Sequence, residues 1–189
     1  MIYLIIILAI ITRFLPHFPN FAPITALAIF SAAYLPKKQA VIIPLAARFV
    51  SDIFLGFFSW PLMVAVYASH LVGVLFGLWI KKSVTSPALR APSPISERGG
   101  VRLGMWPRII LSSLSASIIF FLITNFAFLY GYYPHSWQGI LQSYINGLPF
   151  FRGTLLGDLS YTLVLFGSYE LARYLIRQKS RRIISKNLA

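Results

Sequence analysis

The Lys and Arg residues of this chain are confined to short stretches between long apolar segments. Clusters occur at Lys37-Lys38, across 81–108 and across 173–186, whereas the connections that alternate with them carry almost no charge. When the apolar segments are threaded back and forth across a membrane, fourteen of the seventeen Lys and Arg residues fall on one side. Multi-pass helical membrane proteins show this excess of positive charge in their cytoplasmic loops. The pattern therefore predicts an all-α, polytopic protein of the cytoplasmic membrane with both termini inside.

The composition favours the same class. Hydrophobic residues make up 58% of the chain and charged residues only 11%, whereas soluble domains carry about 25% charged residues. A net charge of +13 would suggest a nucleic-acid partner in a soluble protein. Here the basic residues lie beside apolar segments, so we expect contact with anionic lipid headgroups and no nucleic acid. The absence of cysteine excludes thiolate chemistry, the histidines lack zinc-site spacing, and no metal or cofactor is predicted.

Six apolar segments predict a compact bundle of six transmembrane helices in one integral membrane domain, 1–189. A spanning helix needs about 20 residues, so the last four segments are long enough and the first two are short. A flexible cytoplasmic loop at 81–106, rich in Pro, Ser and Arg, and a basic cytoplasmic tail at 177–189 complete the topology. The predicted helices are about 2–14, 21–35, 39–57, 61–80, 107–130 and 150–176.

Few ionisable side chains fall inside the predicted spans, and each is costly in lipid unless it is paired or faces a watered cavity. Arg48 and Asp52 lie four residues apart on helix 3 and can pair on one face, in either a structural or a functional role. Asp158 on helix 6 has only Arg152 near its own face, which favours a cavity role. His70, among apolar neighbours, is interpreted as a hydrogen-bonded packing residue rather than a ligand.

Small residues recur at four-residue spacing on three helices, a pattern that lets helices approach closely in lipid. Packing inside the bundle is the default interpretation of these pairs, and an interface with another membrane subunit is the more specific one. The pairs are Ala28 with Ala32, Gly73 with Gly77, and Gly153 with Gly157.

Motifs for ATP use and hydrolysis are absent. The sequence contains no G-x-x-x-x-G-K-[ST] loop, no G-x-S-x-G elbow and no H-E-x-x-H pair. The chain is therefore not expected to power a process with ATP by itself, and we do not expect an enzyme.

Several segments together resemble a known family. They are Arg13-x-x-Pro16-His17-x-Pro19-Asn20-Phe21-x-Pro23, Ala26-x-Ala28-x-Phe30-x-Ala32, Pro44-Leu45, Ser51-Asp52, Thr124-Asn125-Phe126, and Pro149-Phe150-Phe151-Arg152-x-Thr154-Leu155-x-Gly157-Asp158-x-x-Tyr161-Thr162. Nearly the whole chain resembles an uncharacterised branch of small bacterial membrane proteins related to the substrate-binding (S) components of energy-coupling factor transporters.

That resemblance implies a fold, a partner set and a mechanism. The expected fold is a six-helix bundle with a substrate cavity that opens outward. The expected partners are a transmembrane coupling protein, two cytoplasmic ATPases and a vitamin or similar micronutrient, which the subunit captures and then releases inside by toppling in the membrane. The family's alanine stripe, which contacts the coupling protein, matches Ala22, Ala26, Ala28 and Ala32.

We therefore predict a substrate-capture subunit. Aromatic outer loops with a few polar groups suit an organic ligand. Two alternatives stay open: a scaffold subunit of an envelope complex, with no outward cavity, and a membrane-embedded enzyme, with two acid–base groups within proton-transfer distance. The predicted substrate-binding residues are His17, Asn20, Asp52, Asn125, Asn146, Arg152, Asp158 and Tyr161.

Overall fold

Every regular element in the described part of the chain is an α-helix, as the sequence predicts. The computed structural model describes residues 1–16, 18–85, 105–126 and 131–187. The helices are α1 (Ile2–Thr12), α2 (Ile24–Tyr34), α3 (Lys37–Leu55), α4 (Trp60–Thr85), α5 (Trp106–Thr124) and α6 (Trp137–Asn187).

Two helices are long and apolar enough to cross a membrane. They are the Trp60–Lys82 part of α4 and all of α5. The apolar helices α1 and α2 have 11 residues each, which gives about 16 Å at about 1.5 Å per residue, short of a hydrocarbon core about 30 Å thick. Large apolar side chains are exposed on the flanks of the bundle, among them Leu8, Phe54, Leu75, Leu111 and Val164. A soluble monomer rarely exposes so much apolar surface.

Helix α2 forms the centre of the bundle. Its residues from Ile24 to Ala33 are all buried, and it packs most closely against α4, then α3 and α6. The approach to α4 is close because a Cβ atom on Gly73 or Gly77 would meet Ala28 or Ala32, and on Gly77 also the backbone of Ile29. The predicted internal packing of these small-residue pairs is confirmed.

The burial of α2 corrects the expected use of its alanine stripe. Ala26, Ala28 and Ala32 have no exposed surface within the chain, so a coupling protein cannot contact them in this structure. Only Ala22, before the helix begins, is partly exposed. The stripe had the residue spacing of an interface, but its partner is α4 of the same chain.

Helices α2 to α6 alternate in direction, and contacts at one end show this. The Lys81 ammonium donates a hydrogen bond to the Leu35 carbonyl at 2.6 Å, which brings the end of α4 to the end of α2. Arg108 at the start of α5 lies 5.7 Å from the Trp79 ring. We call this the basic end of the bundle, and the opposite end the cavity end.

Helix α6 is longer than predicted. The sequence suggests a short element at about 136–146 before a helix at 150–176, but one helix runs from Trp137 to Asn187 and contains Pro149. A proline removes one backbone hydrogen bond, a loss that helices within a packed bundle tolerate. The basic tail predicted at 177–189 is helical up to Asn187.

Two other predicted boundaries shift. Helix α2 begins at Ile24 rather than 21, after the Pro23 N-cap. Helix α5 ends at Thr124 rather than 130, where Asn125 caps it through a side-chain hydrogen bond to the Phe121 carbonyl at 2.9 Å. Most of the loop predicted at 81–106 lies outside the described residues, and α4 continues to Thr85.

Candidate ligand-binding site

Two arginines share one buried carboxylate at the cavity end. Asp52 on α3 accepts a hydrogen bond from Arg48 Nε at 2.8 Å, one turn earlier on the same helix, which confirms the predicted pairing. Arg13, just after α1, lies 3.4 Å from the other carboxylate oxygen and donates to the Ser51 hydroxyl. The Tyr67 hydroxyl of α4 donates to Asp52 at 3.0 Å. These contacts join α1, α3 and α4, and we call Arg13, Arg48 and Asp52 the two-arginine cluster.

The two-arginine cluster carries one more positive than negative charge. Its side chains are largely withdrawn from solvent, with exposed fractions of 7% for Arg13, 14% for Arg48 and 2% for Asp52. Among the described residues, Arg48 makes its hydrogen bond through Nε alone, so its two terminal nitrogens have no protein acceptor. Its guanidinium lies 5.4 Å from the Phe58 ring centre. A guanidinium fork with free donors suits a carboxylate or phosphate group.

A polar cavity of about 220 Å³ lies next to the cluster, and we call it the polar compartment. His70 and Asp158, exposed by 4% and 2%, face it from α4 and α6. Neither ring nitrogen of His70 has a hydrogen-bond partner among the described residues, although the ring stacks on Phe120 at 5.5 Å. The hydrogen-bonded packing role predicted for His70 is therefore wrong. Its other lining residues are Arg13, Asn20, Ala22, Ile24, Thr25, Arg48, Leu55, Phe120 and Thr154.

Asp158 has a hydroxyl partner but no cation. Ser117 of α5 donates a hydrogen bond to Asp158 Oδ2 at 2.7 Å. No ion pair joins Asp158 to any of the residues that the structure describes. A buried carboxyl group without a cationic partner is costly, so it favours a ligand that supplies N–H donors.

A second cavity, of about 270 Å³, adjoins the polar one, and we call it the aromatic compartment. It shares Asn20, Arg48, Phe120 and Thr154 with the polar compartment. Five of its thirteen lining residues are phenylalanines, and Phe121 and Phe151 pack with ring centres 4.7 Å apart. The full lining is Asn20, Arg48, Phe58, Leu62, Val66, Phe120, Phe121, Thr124, Asn125, Gly147, Phe150, Phe151 and Thr154.

A third space of about 490 Å³ leads from the aromatic compartment to the tip of the bundle, and we call it the entrance compartment. It shares Asn125, Gly147 and Phe150 with the aromatic compartment, and Tyr132 and Asn146 at its rim are exposed. The three compartments thus form one series, from an open rim to a polar end.

Two glycines let the segment that precedes α2 lie directly on α6. A Cβ atom on Gly153 would overlap the Pro19 carbonyl, and one on Gly157 would lie within 2.9 Å of Phe21 Cα. Between these contacts Asn20 has a φ of 60°, a conformation that asparagine tolerates better than most residues. This packing holds Asn20 at the junction of the polar and aromatic compartments.

The structure brings together four of the predicted site residues: Asn20, Asn125, Asn146 and Asp158 line the three compartments. Asp52 does not line these compartments, but it pairs with Arg13 and Arg48, which line the polar compartment. Tyr161 packs against Phe21 with ring centres 5.4 Å apart. Neither Tyr161 nor the exposed Arg152 is among the lining residues of these compartments. His17 lies outside the described residues.

Sequence reasoning missed Arg13 as a site residue, although a signal was present. Three basic residues depart from the one-sided charge pattern: Arg13, Arg48 and Arg152. Two of these three line the polar compartment. An arginine on the side of the membrane that otherwise lacks basic residues therefore indicated the site better than a polar residue in an outer loop did. Thr25 and Thr154, which also line the compartment, carried no comparable signal.

The fold and site together define an all-helical, strongly apolar protein with a polar-ended cavity at one end of its bundle. A model described as a family of unknown function (DUF6580) matches residues 1–181. The protein belongs to this family, because the match covers nearly the whole chain. No curated protein and no solved structure matches the chain.

Proposed function

We propose that this protein is a substrate-capture subunit of an energy-coupling factor importer in the bacterial cytoplasmic membrane. In this proposal all six helices contribute to a transmembrane bundle, both termini lie inside, and the cavity end faces outward. The subunit binds a small organic micronutrient and passes it on with a transmembrane coupling protein and two cytoplasmic ATPases. The observation that carries the proposal is the series of compartments from an open rim to the buried His70 and Asp158 and the half-buried Arg48.

Two further features support the orientation. The basic end gathers Lys81 and Arg108, and positive charge is retained on the cytoplasmic side of membrane proteins. The compartments lie at the opposite end, where α3 and α5 end and α4 begins. With the basic end inside, a ligand would enter from outside the cell.

The partner set rests on the sequence resemblance and on the lack of an ATP-binding loop. It does not rest on the alanine stripe, because α2 is buried. A coupling protein would therefore bind another face of the bundle.

The two alternatives receive less support. A scaffold subunit needs no cavity, whereas this chain leaves His70 without hydrogen bonds beside one. An enzyme with Asp52 and Asp158 as its acid–base pair would need both carboxyl groups free to exchange protons with a substrate. Asp52 instead accepts hydrogen bonds from Arg48 and Tyr67.

The proposal is tested by gentle affinity purification of the tagged, full-length protein from its native membrane. Mass spectrometry then identifies both co-purifying proteins and small molecules released by denaturation. We expect a membrane coupling protein and two ATPases, enriched relative to an unrelated multi-pass protein carrying the same tag. Recovery of neither the partners nor a small molecule would contradict the capture role.

A further inference from the structure

We infer that the site takes a planar organic monoanion: an aromatic or heteroaromatic carboxylic acid with N–H donors on its ring system. The carboxylate binds the Arg48 guanidinium, the ring packs between aromatic walls, and the N–H groups face His70 and Asp158. This inference rests on the proposed capture function and names the chemical class of its ligand.

The charge of the ligand follows from the two-arginine cluster. Arg13 and Arg48 share the single carboxylate of Asp52, and Asp158 is not ion-paired with either of them. A buried charge without a partner is expensive. Arg48 lines both inner compartments, and its terminal nitrogens have no acceptor among the described residues. One carboxylate would neutralise the cluster and accept the free donors as a bidentate pair.

The size of the charge favours a carboxylate over a phosphate group. The cluster has an excess of one positive charge, which a carboxylate balances. A phosphate monoester carries about −1.5 to −2 at neutral pH, so it would leave an excess of negative charge beside the cluster. The site lacks the second free cation that such a group would need among the described lining residues.

His70 identifies the hydrogen-bonding end of the ligand. It is 4% exposed, it lines the polar compartment, and both ring nitrogens lack partners. A neutral imidazole offers one donor and one acceptor. Asp158 on the same compartment adds acceptors for N–H groups, and Ser117 fixes the orientation of its carboxyl group.

The aromatic residues that line the two inner compartments determine the shape of the ligand. Phe120 lines both inner compartments, and Phe58, Phe150 and Phe151 surround the outer of the two. Aromatic side chains favour stacked or edge-on contact with another ring. The inner compartments measure about 220 and 270 Å³, and together they fall in the lower half of the range of about 300–1,000 Å³ for small-molecule sites. A molecule of one or two rings fits this space.

The test is isothermal titration calorimetry on the full-length protein in lipid nanodiscs with matched probes. The acids are 4-aminobenzoate, 6-aminopyridine-3-carboxylate, indole-3-carboxylate and 2-amino-4-oxopteridine-6-carboxylate, and each is compared with its own carboxamide. The amide keeps the ring and its donors but lacks the charge. We expect at least one acid to bind, and each acid that binds to do so at least about ten-fold more tightly than its amide, because charged hydrogen bonds are the stronger ones.

Substitutions of Arg48 test whether this residue causes the preference for acids over amides. Arg48→Gln should weaken the best acid at least about ten-fold and bring it close to its amide, whereas Arg48→Lys should retain part of the preference. Arg173→Gln, in the partly exposed pair with Glu170 at the basic end, is the control and should bind as the unchanged protein does. The acid–amide comparison uses the unaltered chain, so it decides the question even if Arg48→Gln does not fold.

The inference is overturned if no acid binds, if amides bind as well as acids, or if Arg48→Gln folds and keeps the preference for acids. Its failure can be told apart from failure of the capture role. A coupling protein that co-purifies with a chain binding only neutral or cationic compounds would retain the capture role and reject the monoanion.

Discussion

The two ends of the bundle differ in how they treat polar groups. At the basic end, Phe30, Tyr34, Phe166 and Tyr169 form an aromatic cluster with ring centres 4.3–5.7 Å apart. Of the two tyrosine hydroxyls in this cluster, that of Tyr34 is satisfied, because it donates a hydrogen bond to Glu170 at 3.0 Å. At the cavity end, His70 has no hydrogen bond and Arg48 has free donors.

This difference between the two ends distinguishes residues that stabilise the fold from residues available to bind a ligand. Apolar and aromatic packing lowers the free energy of the folded chain wherever it occurs, whereas an unsatisfied buried polar group raises it. The cavity end therefore retains groups that oppose folding, as expected of a site whose missing partners arrive with a ligand. Four substitutions test this comparison.

Asp52→Asn should have the largest effect, since Asp52 is the one carboxylate that holds Arg13 and Arg48. Removing one partner of a buried ion pair costs about 3–5 kcal/mol, and here two arginines lose their counterion. Thermal unfolding of the purified protein in detergent measures the loss. Adding Arg13→Gln to Asp52→Asn should restore part of it, and no recovery would argue against a charge origin.

Gly77→Ala should disturb the centre of the bundle. The new Cβ atom would meet the Ile29 backbone and Ala32 on α2, and overpacking typically costs about 1–3 kcal/mol. The same change at Gly167, where the nearest atom is 4.0 Å away in Trp106, serves as the control and should be neutral or slightly stabilising. Equal unfolding temperatures for both variants would contradict the close packing of α2 on α4.

His70→Phe should stabilise the chain while it removes ligand binding. The slightly larger phenyl ring keeps the contact with Phe120 and can extend into the adjacent polar compartment. Two buried nitrogens without partners are lost, a gain of roughly 1–2 kcal/mol. Unfolding temperature and calorimetry with the carboxylate panel are measured on the same preparation. His70→Gln keeps polar groups and should give no such gain. A fall in stability for His70→Phe would mean that the imidazole is satisfied in the folded protein.

Glu170→Gln at the basic end should have the smallest effect. Its ion pair with Arg173 is 3.6 Å long and the arginine side chain is 39% exposed, so the contribution is less than about 1 kcal/mol. Ligand binding should not change. A loss as large as that of Asp52→Asn would remove the contrast between the two ends.

The sequence predicted features that depend on neighbouring residues and on hydrophobic periodicity. These include the helical class, the pairing of Arg48 with Asp52 at four-residue spacing, and the packing of small residues on α2 and α4. It did not predict contacts between distant segments. Arg13 reaches Asp52 from 39 positions away along the chain, and nothing local to either residue indicates that approach.

Two further differences have local causes that sequence reasoning weighed wrongly. The sequence predicts a helix that begins at about 150, but α6 begins at Trp137 and continues through Pro149. His70 was assigned a hydrogen bond because an unpaired buried imidazole is costly, and the structure leaves that cost in place beside a cavity. Buried histidines in a packed core are normally hydrogen-bonded. The exception at His70 indicates the binding site.

The glycine contacts on α6 limit how the pocket can change over evolution. One wall is the 19–22 segment lying against Gly153 and Gly157, so any side chain at either glycine would push that segment away and deform the pocket. The aromatic wall has no such constraint, because Phe120 and Phe150 project from helices that other contacts hold in place, and Phe58 lies in the connection between α3 and α4. Members of this family that bind different compounds should therefore keep both glycines and differ at positions such as Phe58, Phe120 and Phe150.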